Sequence, residues 1–285
     1  MMDGGVIELL SMPFVQRMLV AGLLASVACG VVGTFVVVRR IVFVSGGISH
    51  TAFGGIGLAY LLQDRLGWGG FDPLAGAALF ALAAAAVLSS GWVRRRMRED
   101  SAIGALWVIG MAVGVLLLSL VDRSAVRVQD PASILFGNVL LIRVVDLWVM
   151  GALVVGILAL VALLYKDLQI LVFDEGFARL SGIRVGAMNF LLLVLVALTV
   201  VVLIKVVGVV LAIAMLTLPA AIAGLFARGL PMMMALAVAI GATLTTGGAL
   251  LSLWLDLPPG AVIVLLLTVG FVVAALGRGI LGRSA

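Results

Sequence analysis

One histidine stands out among the residues of this sequence that could do chemistry. His50 is the sole histidine of the chain, and it lies about nine residues into a long apolar stretch, about 13 Å along a helix. A polar group at that depth in hydrocarbon is costly unless it meets a partner or a watery path. Neutral imidazole is a good ligand for Zn²⁺, Mn²⁺ or Fe²⁺. His50 is therefore a candidate metal ligand, and the alternative is a histidine hydrogen-bonded to a neighbouring helix.

The helical neighbours of His50 have no side chains. Glycines occupy the positions four and three residues before it and four and seven residues after it, namely Gly46, Gly47, Gly54 and Gly57. Residues at these spacings share one helix face. Such a glycine strip permits either a tightly packed helix or an open passage, and the residues alone leave both possibilities open.

The elements that position His50 must be membrane helices. Apolar residues make up 65% of the 285-residue chain and charged residues 11%, whereas soluble domains are about half apolar and a quarter charged. This composition excludes a soluble enzyme, a disordered tail and a nucleic-acid-binding module. A spanning helix needs about 20 apolar residues, and nine stretches qualify as candidates: 14–38, 42–62, 73–93, 101–121, 145–165, 187–206, 208–227, 232–255 and 261–276. We predict an all-α polytopic bundle with eight or nine transmembrane helices, forming a single domain over residues 1–285.

The basic residues predict the orientation of this bundle. One set of loops and span ends carries twelve Lys and Arg residues and the opposite set carries six, and the richer side is expected to be cytoplasmic. The C-terminus is then cytoplasmic. Exposed tryptophans are expected near span ends, at Trp68, Trp148 and Trp254 on the outer side and Trp92 on the inner side.

The longest predicted cytoplasmic loop covers residues 166–185. Asp174 and Glu175 favour a helix start there, and Gly182 after Ser181 favours its end. Phe173, Phe177 and Leu180 form an apolar face at helical spacing. Two interpretations follow: an interfacial helix lying on lipid, or a docking helix for a cytoplasmic partner.

Two further places are candidate parts of a pathway. Pro219 removes the backbone hydrogen bond to the carbonyl of Met215 and can kink its helix, although a packing kink is an equal alternative. Asp256 stands in a predicted outer turn, where it could attract a cation or be an ordinary solvated acid.

The sequence lacks the residues that several other mechanisms require. The two lysines, Lys166 and Lys205, do not follow a glycine, so the chain has no P-loop for ATP. A single histidine excludes the H-E-x-x-H metalloprotease motif, and adjacent Ser49 cannot form a dyad with His50 on a helix. All acids map to span ends or loops, which argues against proton antiport.

Four ordered motifs resemble one known family, the permease subunits of zinc, manganese and iron ABC importers, the ABC-3 group. They are GGISHTAFGG at 46–55, LFGN at 135–138, FDEGFAR at 173–179, and VGVVLAIAMLTLPAA at 207–221, with DLPPG at 256–260 downstream. The likeness spans almost the whole chain.

The resemblance implies an all-helical importer permease in the cell (inner) membrane. It implies a homodimer, two copies of an ABC ATPase subunit, and an extracellular or periplasmic metal-binding protein, with a divalent metal as substrate and no permanently bound cofactor. The segment FDEGFAR (173–179), which contains Gly176 and Ala178, and Gly182 after it then resemble the helix that couples to the ATPase. Family members carry an Asp and a His one turn apart on the metal path. His50 matches the His, whereas Gly46 stands at the Asp position.

Three other interpretations remain open at this stage. The first is an ABC permease for a metal chelate, siderophore or vitamin, and the second is a secondary transporter that works without an ATPase. An intramembrane hydrolase, the third, lacks the residues named above.

Overall fold

The computed structural model describes residues 11–67, 70–122, 131–137, 142–204, 208–209 and 212–281. All regular structure in these residues is helical. The thirteen helices are α1 (Pro13–Val38), α2 (Val42–Leu66), α3 (Pro73–Ser89), α4 (Gly91–Arg96), α5 (Glu99–Ser119), α6 (Pro131–Phe136), α7 (Val144–Leu163), α8 (Tyr165–Phe173), α9 (Glu175–Leu180), α10 (Val185–Ile204), α11 (Ala212–Phe226), α12 (Leu230–Leu255) and α13 (Pro259–Leu281).

Seven of these helices are long and apolar enough to cross a membrane: α1, α2, α5, α7, α10, α12 and α13. Two more, α3 and α11, are apolar but shorter. Each of the nine predicted stretches therefore coincides with an apolar helix. The all-helical membrane architecture is confirmed, and the count of eight or nine spans stays a prediction.

The two shorter helices differ from the stretches that predicted them. α3 ends at Ser89 rather than near residue 93, because Ser90 is extended and its hydroxyl caps α4 by accepting from the N–H of Val93 at 3.4 Å. α11 begins at Ala212. The predicted division between two spans near Lys205 falls outside the described residues, apart from Gly208 and Val209.

Local sequence signals explain where several helices begin and end. Proline stands at the first turn of α1 and α3, where its missing N–H costs nothing. Asp72 caps α3 by accepting a hydrogen bond from the N–H of Leu74 at 2.8 Å. α2 ends at Gly67, whose φ of 64° is left-handed.

Small residues bring helices into backbone contact. A Cβ at Gly55 of α2 would overlap the carbonyl oxygen of Gly76 in α3, and a Cβ at Gly76 would overlap that of Gly55. Gly54 and Gly57 lie in the same way against α5, where a Cβ would come within 3.2 Å of the Gly110 oxygen and 2.9 Å of the Gly114 oxygen. The glycine strip around His50 is therefore a helix-packing face. The alternative interpretation, an open passage along the strip, is wrong.

α1, α2 and α10 form the interior of the bundle, whereas less than a third of the apolar segment of α5, α7, α12 and α13 is buried. The exposed tryptophans lie as predicted near span ends: Trp148 is 77% and Trp254 is 69% exposed. Trp68 and the side chain of Trp92 lie outside the described part of the chain.

Candidate functional site

His50 lies in the middle of α2, on the face that α5 covers. The residue is 5% exposed, and its buried Nδ1 has no hydrogen-bond partner among the described residues. An unsatisfied buried polar atom is uncommon in a folded protein and costs about 1–3 kcal/mol. The predicted alternative, a histidine hydrogen-bonded to a neighbouring helix, therefore finds no partner at this nitrogen.

The hydroxyl groups beside His50 are engaged elsewhere. Ser49 donates to the carbonyl of Ser45 at 2.8 Å, and Thr51 donates to the carbonyl of Gly47 at 2.7 Å. Both bonds return to the previous turn of the same helix, as hydroxyls do in apolar surroundings. The imidazole is thus the polar group of this turn whose bonding capacity remains open.

A tryptophan of α5 covers the ring of His50. The ring centroids of His50 and Trp107 are 4.4 Å apart and the planes differ by 20°, which is a stacked arrangement. Sequence reasoning missed Trp107. The available signal was its position: of the five tryptophans it stands in the middle of a predicted span, where an interfacial role does not apply.

The same indole explains Gly46. A Cβ at Gly46 would overlap Cζ3 of Trp107 and would come within 2.9 Å of its Cη2 and 3.0 Å of Cδ1 of Ile213 in α11. A side chain at the position one turn before His50 therefore requires the Trp107 ring to move. No three His, Cys, Asp or Glu side chains converge on a metal-sized site within the described ranges.

Met215 and Pro219 both contact α12. Met215 is fully buried, and its Sδ accepts from Thr245 of α12 at 3.5 Å. Pro219 is buried too, and a Cβ at Gly241 of α12 would lie 3.7 Å from the Cβ of Pro219. Both residues pack α11 against α12, and Ile213 of α11 lies close to Gly46, one turn before His50.

Asp256 occupies the exposed turn between α12 and α13. Its backbone is left-handed, with φ of 52°, and its N–H donates to the carbonyl of Ser252. It forms no ion pair with His50.

The predicted cytoplasmic loop contains two short helices, α8 and α9. Asp174 caps α9, as its side chain accepts from the N–H of Phe177 at 2.9 Å. Gly182 follows the helix with φ of 80°. The predicted helix start and stop are both confirmed, whereas α8, which begins at Tyr165 within the last predicted residues of the preceding span, was not foreseen.

α9 is held by one small residue and exposes large apolar ones. Ala178 is fully buried and packs in a cluster with Leu171 and Val185. Phe173 and Phe177 are 64% and 55% exposed. The apolar face is thus turned outward, as either predicted role requires.

An ion pair joins α9 to the end of α1. Arg39 contacts the carboxylate of Glu175 at 3.1 Å and donates to the carbonyl of Leu171 at 2.9 Å. Arg179 contacts the other oxygen of the Glu175 carboxylate at 2.9 Å. Because Arg39 lies just before α2, this contact links α8 and α9 to the helix that carries His50.

Two clusters on other parts of the chain were not predicted. Arg143 contacts Asp146 at 3.2 Å and Asp72 at 3.3 Å, which ties the start of α7 to the start of α3; the hydrogen bond and charge of Asp146, followed by those of Asp72, raise the pKa of the Arg143 guanidinium. Elsewhere, a Cβ at Gly208 would overlap the N–H of Gly137, so the LFGN motif (135–138) touches the start of the motif at 207–221. Asn138 of the LFGN motif lies outside the described residues.

Comparison with known proteins gives the same family as the sequence motifs did, over most of the chain. The sequence model of the ABC 3 transport family matches residues 11–278. A probable metal transport system membrane protein of Chlamydia pneumoniae is 38% identical over 251 residues, covering 88% of this chain and 84% of that protein. The manganese transport system membrane protein MntC of Halalkalibacterium halodurans is 34% identical over 269 residues, covering 94% and 88%.

A solved structure agrees with the sequence comparisons. The chain is similar to PsaBC from Streptococcus pneumoniae in complex with Fab, with a TM-score of 0.84 and 30% identity, covering 96% of this chain and 95% of that one. With its apolar helices and a family match across nearly its whole length, this chain is a multi-pass membrane protein that belongs to the ABC 3 transport family.

Proposed function

We propose that the chain is the permease subunit of an ATP-driven importer of divalent transition metal ions, Zn²⁺, Mn²⁺ or Fe²⁺. The observation that carries this proposal is the match of nearly the whole chain to membrane proteins named for metal and manganese transport. The metal is the substrate, and ATP hydrolysis takes place on a separate subunit.

His50 is the proposed transient ligand on the translocation path. Its support is geometric: a buried imidazole with an unpartnered Nδ1, on a helix whose neighbouring hydroxyls bond to their own backbone. A single nitrogen ligand holds a cation weakly. Weak binding suits transport, because an ion must leave the site as readily as it enters.

The α9 region is the proposed coupling element for the ATPase, and it comprises Phe173, Asp174, Glu175, Gly176, Phe177, Ala178, Arg179 and Gly182. Two features support this role: the exposed phenylalanines, and the Arg39–Glu175 ion pair that connects α9 to the turn before α2. An ATPase that contacts α9 differently in its two nucleotide states would bias the permease between outward-open and inward-open forms.

The assembly follows from this function. We propose a homodimer of this chain with two ATPase subunits, fed by an extracellular or periplasmic metal-binding protein, in the cell (inner) membrane with the C-terminus in the cytoplasm. Residues 1–285 then form one transmembrane domain. Met215, Pro219 and Asp256 are proposed as further parts of the translocation pathway.

Metal uptake tests the function directly. Cells that express the complete complex should accumulate Zn²⁺, Mn²⁺ or Fe²⁺, and cells with an ATPase that cannot hydrolyse ATP should not. His50→Ala should abolish most of this uptake, a loss of at least tenfold, while the amount of assembled complex in detergent stays the same. Normal uptake by His50→Ala would remove the histidine from the mechanism.

Two other functions are outcomes of the same experiments. Uptake by this chain alone in liposomes, without any ATPase, would favour a secondary transporter. Uptake of a siderophore, vitamin or other chelate that free Zn²⁺, Mn²⁺ and Fe²⁺ do not inhibit would favour an organic cargo, which needs no ligand inside the membrane.

A further inference from the structure

The relation between Trp107 and Gly46 reaches beyond the proposed function. In most close contacts of this bundle a glycine admits the backbone of a neighbouring helix, as at Gly55 and Gly76. At Gly46 the neighbour is a side chain, because the missing Cβ would overlap the six-membered ring of Trp107. The indole therefore occupies the volume that a residue at position 46 would need.

That volume is directly beside the imidazole. Residues four apart on a helix lie on the same face, one turn above the other. A carboxylate at position 46 would therefore offer an oxygen ligand to a cation bound at His50. The Trp107 ring occupies the place of such a ligand in this structure.

The stacked indole does not cover the edge of the His50 ring, where the nitrogens lie. It covers a face of the imidazole, with 4.4 Å between the centroids. The nitrogen lone pair that binds a metal lies in the ring plane, at the edge, so stacking and metal binding are compatible. The stack also restricts rotation of the ring, and Nδ1 remains without a partner in the described structure.

The backbone contact between α2 and α5 fixes the position of Trp107. A Cβ at Gly110 of α5 would come within 2.6 Å of the His50 carbonyl oxygen and of the Thr51 Cα. Thr51 also reaches across to the carbonyl of Leu106 at 3.3 Å. With the helices in register at these points, the intervening Trp107 is held over His50.

We propose that Trp107 is the residue that sets cation selectivity at His50. It orients the imidazole and fills the space that an oxygen ligand at position 46 would need. The site then offers nitrogen alone, which suits Zn²⁺ and Fe²⁺, whereas Mn²⁺ prefers carboxylate and carbonyl oxygens. This inference rests on the proposed function and narrows it: Zn²⁺ should be taken up in preference to Mn²⁺.

The test is uptake of Zn²⁺ and Mn²⁺ by the complete complex, with KM and maximal rate measured for each metal. The variants are Trp107→Ala, Trp107→Phe, Gly46→Asp and the double variant Gly46→Asp/Trp107→Ala. Trp148→Ala is the matched tryptophan control, because that indole is 77% exposed on another helix. Gly151→Ala is the glycine control, because nothing lies within 4 Å of the added Cβ. It is compared with Gly46→Ala, whose added Cβ meets the Trp107 ring.

Each variant has a definite expected result. Trp107→Ala should raise the KM for Zn²⁺ at least threefold with assembly retained, and Trp107→Phe, which keeps a ring, should restore most of the affinity. Gly46→Asp should reduce uptake at least tenfold, and Gly46→Ala should lower the melting temperature of the purified complex. The double variant should regain uptake relative to Gly46→Asp and shift the Zn²⁺ to Mn²⁺ preference at least tenfold toward Mn²⁺.

The opposite results would overturn the inference. Wild-type uptake by Gly46→Asp would show that the volume was free, and a Zn²⁺ to Mn²⁺ ratio unchanged in both Trp107→Ala and the double variant would show that Trp107 sets no selectivity. If Gly46→Asp fails to assemble, the comparison of Trp107→Ala with Trp107→Phe decides. Wild-type complex that takes up neither metal would instead contradict the proposed function.

Discussion

The His50 region and the α9 region of this chain use different physical chemistry. Around His50 the contacts are ring stacking, backbone-to-glycine contact and hydroxyls bonded within their own helix. Around α9 they are a shared carboxylate between two arginines and large apolar side chains exposed outward. The described ion pairs all involve residues at helix ends or in loops.

The difference reflects the cost of charge in hydrocarbon. Within the bilayer an ionised side chain costs several kcal/mol, so specificity there must come from shape and from one neutral ligand. At the water boundary charged pairs cost little and contribute little. A substitution that adds volume should therefore be severe in the first region, and one that removes a charge should be mild in the second.

The largest effect is expected from added volume between the spans. Gly55→Leu places a side chain into the backbone of α3 at Gly76, and overpacking of this kind costs about 3 kcal/mol or more. We expect a large fall in melting temperature and in the yield of monodisperse protein in detergent. Gly151→Leu is the matched control, because the place of its Cβ is open. Equal stability of the two variants would show that α2 and α3 do not need this contact.

A smaller effect, confined to coupling, is expected on the exposed apolar face of α9. Phe177→Asp should reduce permease-dependent ATPase activity at least tenfold, because it places a charge in the proposed apolar contact, whereas the melting temperature of the isolated permease should not change. Phe43→Asp, at a phenylalanine that is 71% exposed at the start of α2, is the control. Unchanged ATPase activity in Phe177→Asp would favour a helix that lies on lipid.

The smallest effects separate the two arginines that share Glu175. The side chain of Arg39 is 16% exposed and that of Arg179 is 68% exposed. Arg39→Ala should lower the free energy of unfolding by about 1 kcal/mol, since it also loses the bond to the Leu171 carbonyl. Arg179→Ala should change it by about 0.3 kcal/mol. Chemical denaturation of the purified permease measures both, and a larger loss for Arg179→Ala would contradict the assignment.

Much of the fold was predictable because lipid imposes one simple rule on the sequence. Every backbone group must be satisfied inside a helix, so each long apolar run had to be helical, and all nine runs coincide with helices. The helix start at Asp174 and the helix end before Gly182 were predictable because caps depend on adjacent residues alone. The end of α3 at Ser89 was missed because Ser90, a capping residue, was read as part of an apolar run.

The candidate site was only half predictable. His50 could be found because an ionisable residue within an apolar run is rare. Trp107 could not be paired with it, because 57 positions separate the two in sequence and their contact depends on the register of α2 against α5. The contacts of Met215 and Pro219 with α12 were unpredictable for the same reason, because they depend on the register of α11 against α12.

The contact between Gly137 and Gly208 has a mechanical consequence. Both residues have left-handed backbones, with φ of 79° and 80°, and the N–H of Val209 donates to the carbonyl of Ile134 at 3.3 Å. Two turns held backbone to backbone cannot slide past each other without breaking that bond. This junction should act as a pivot, staying still while the segments that leave it swing.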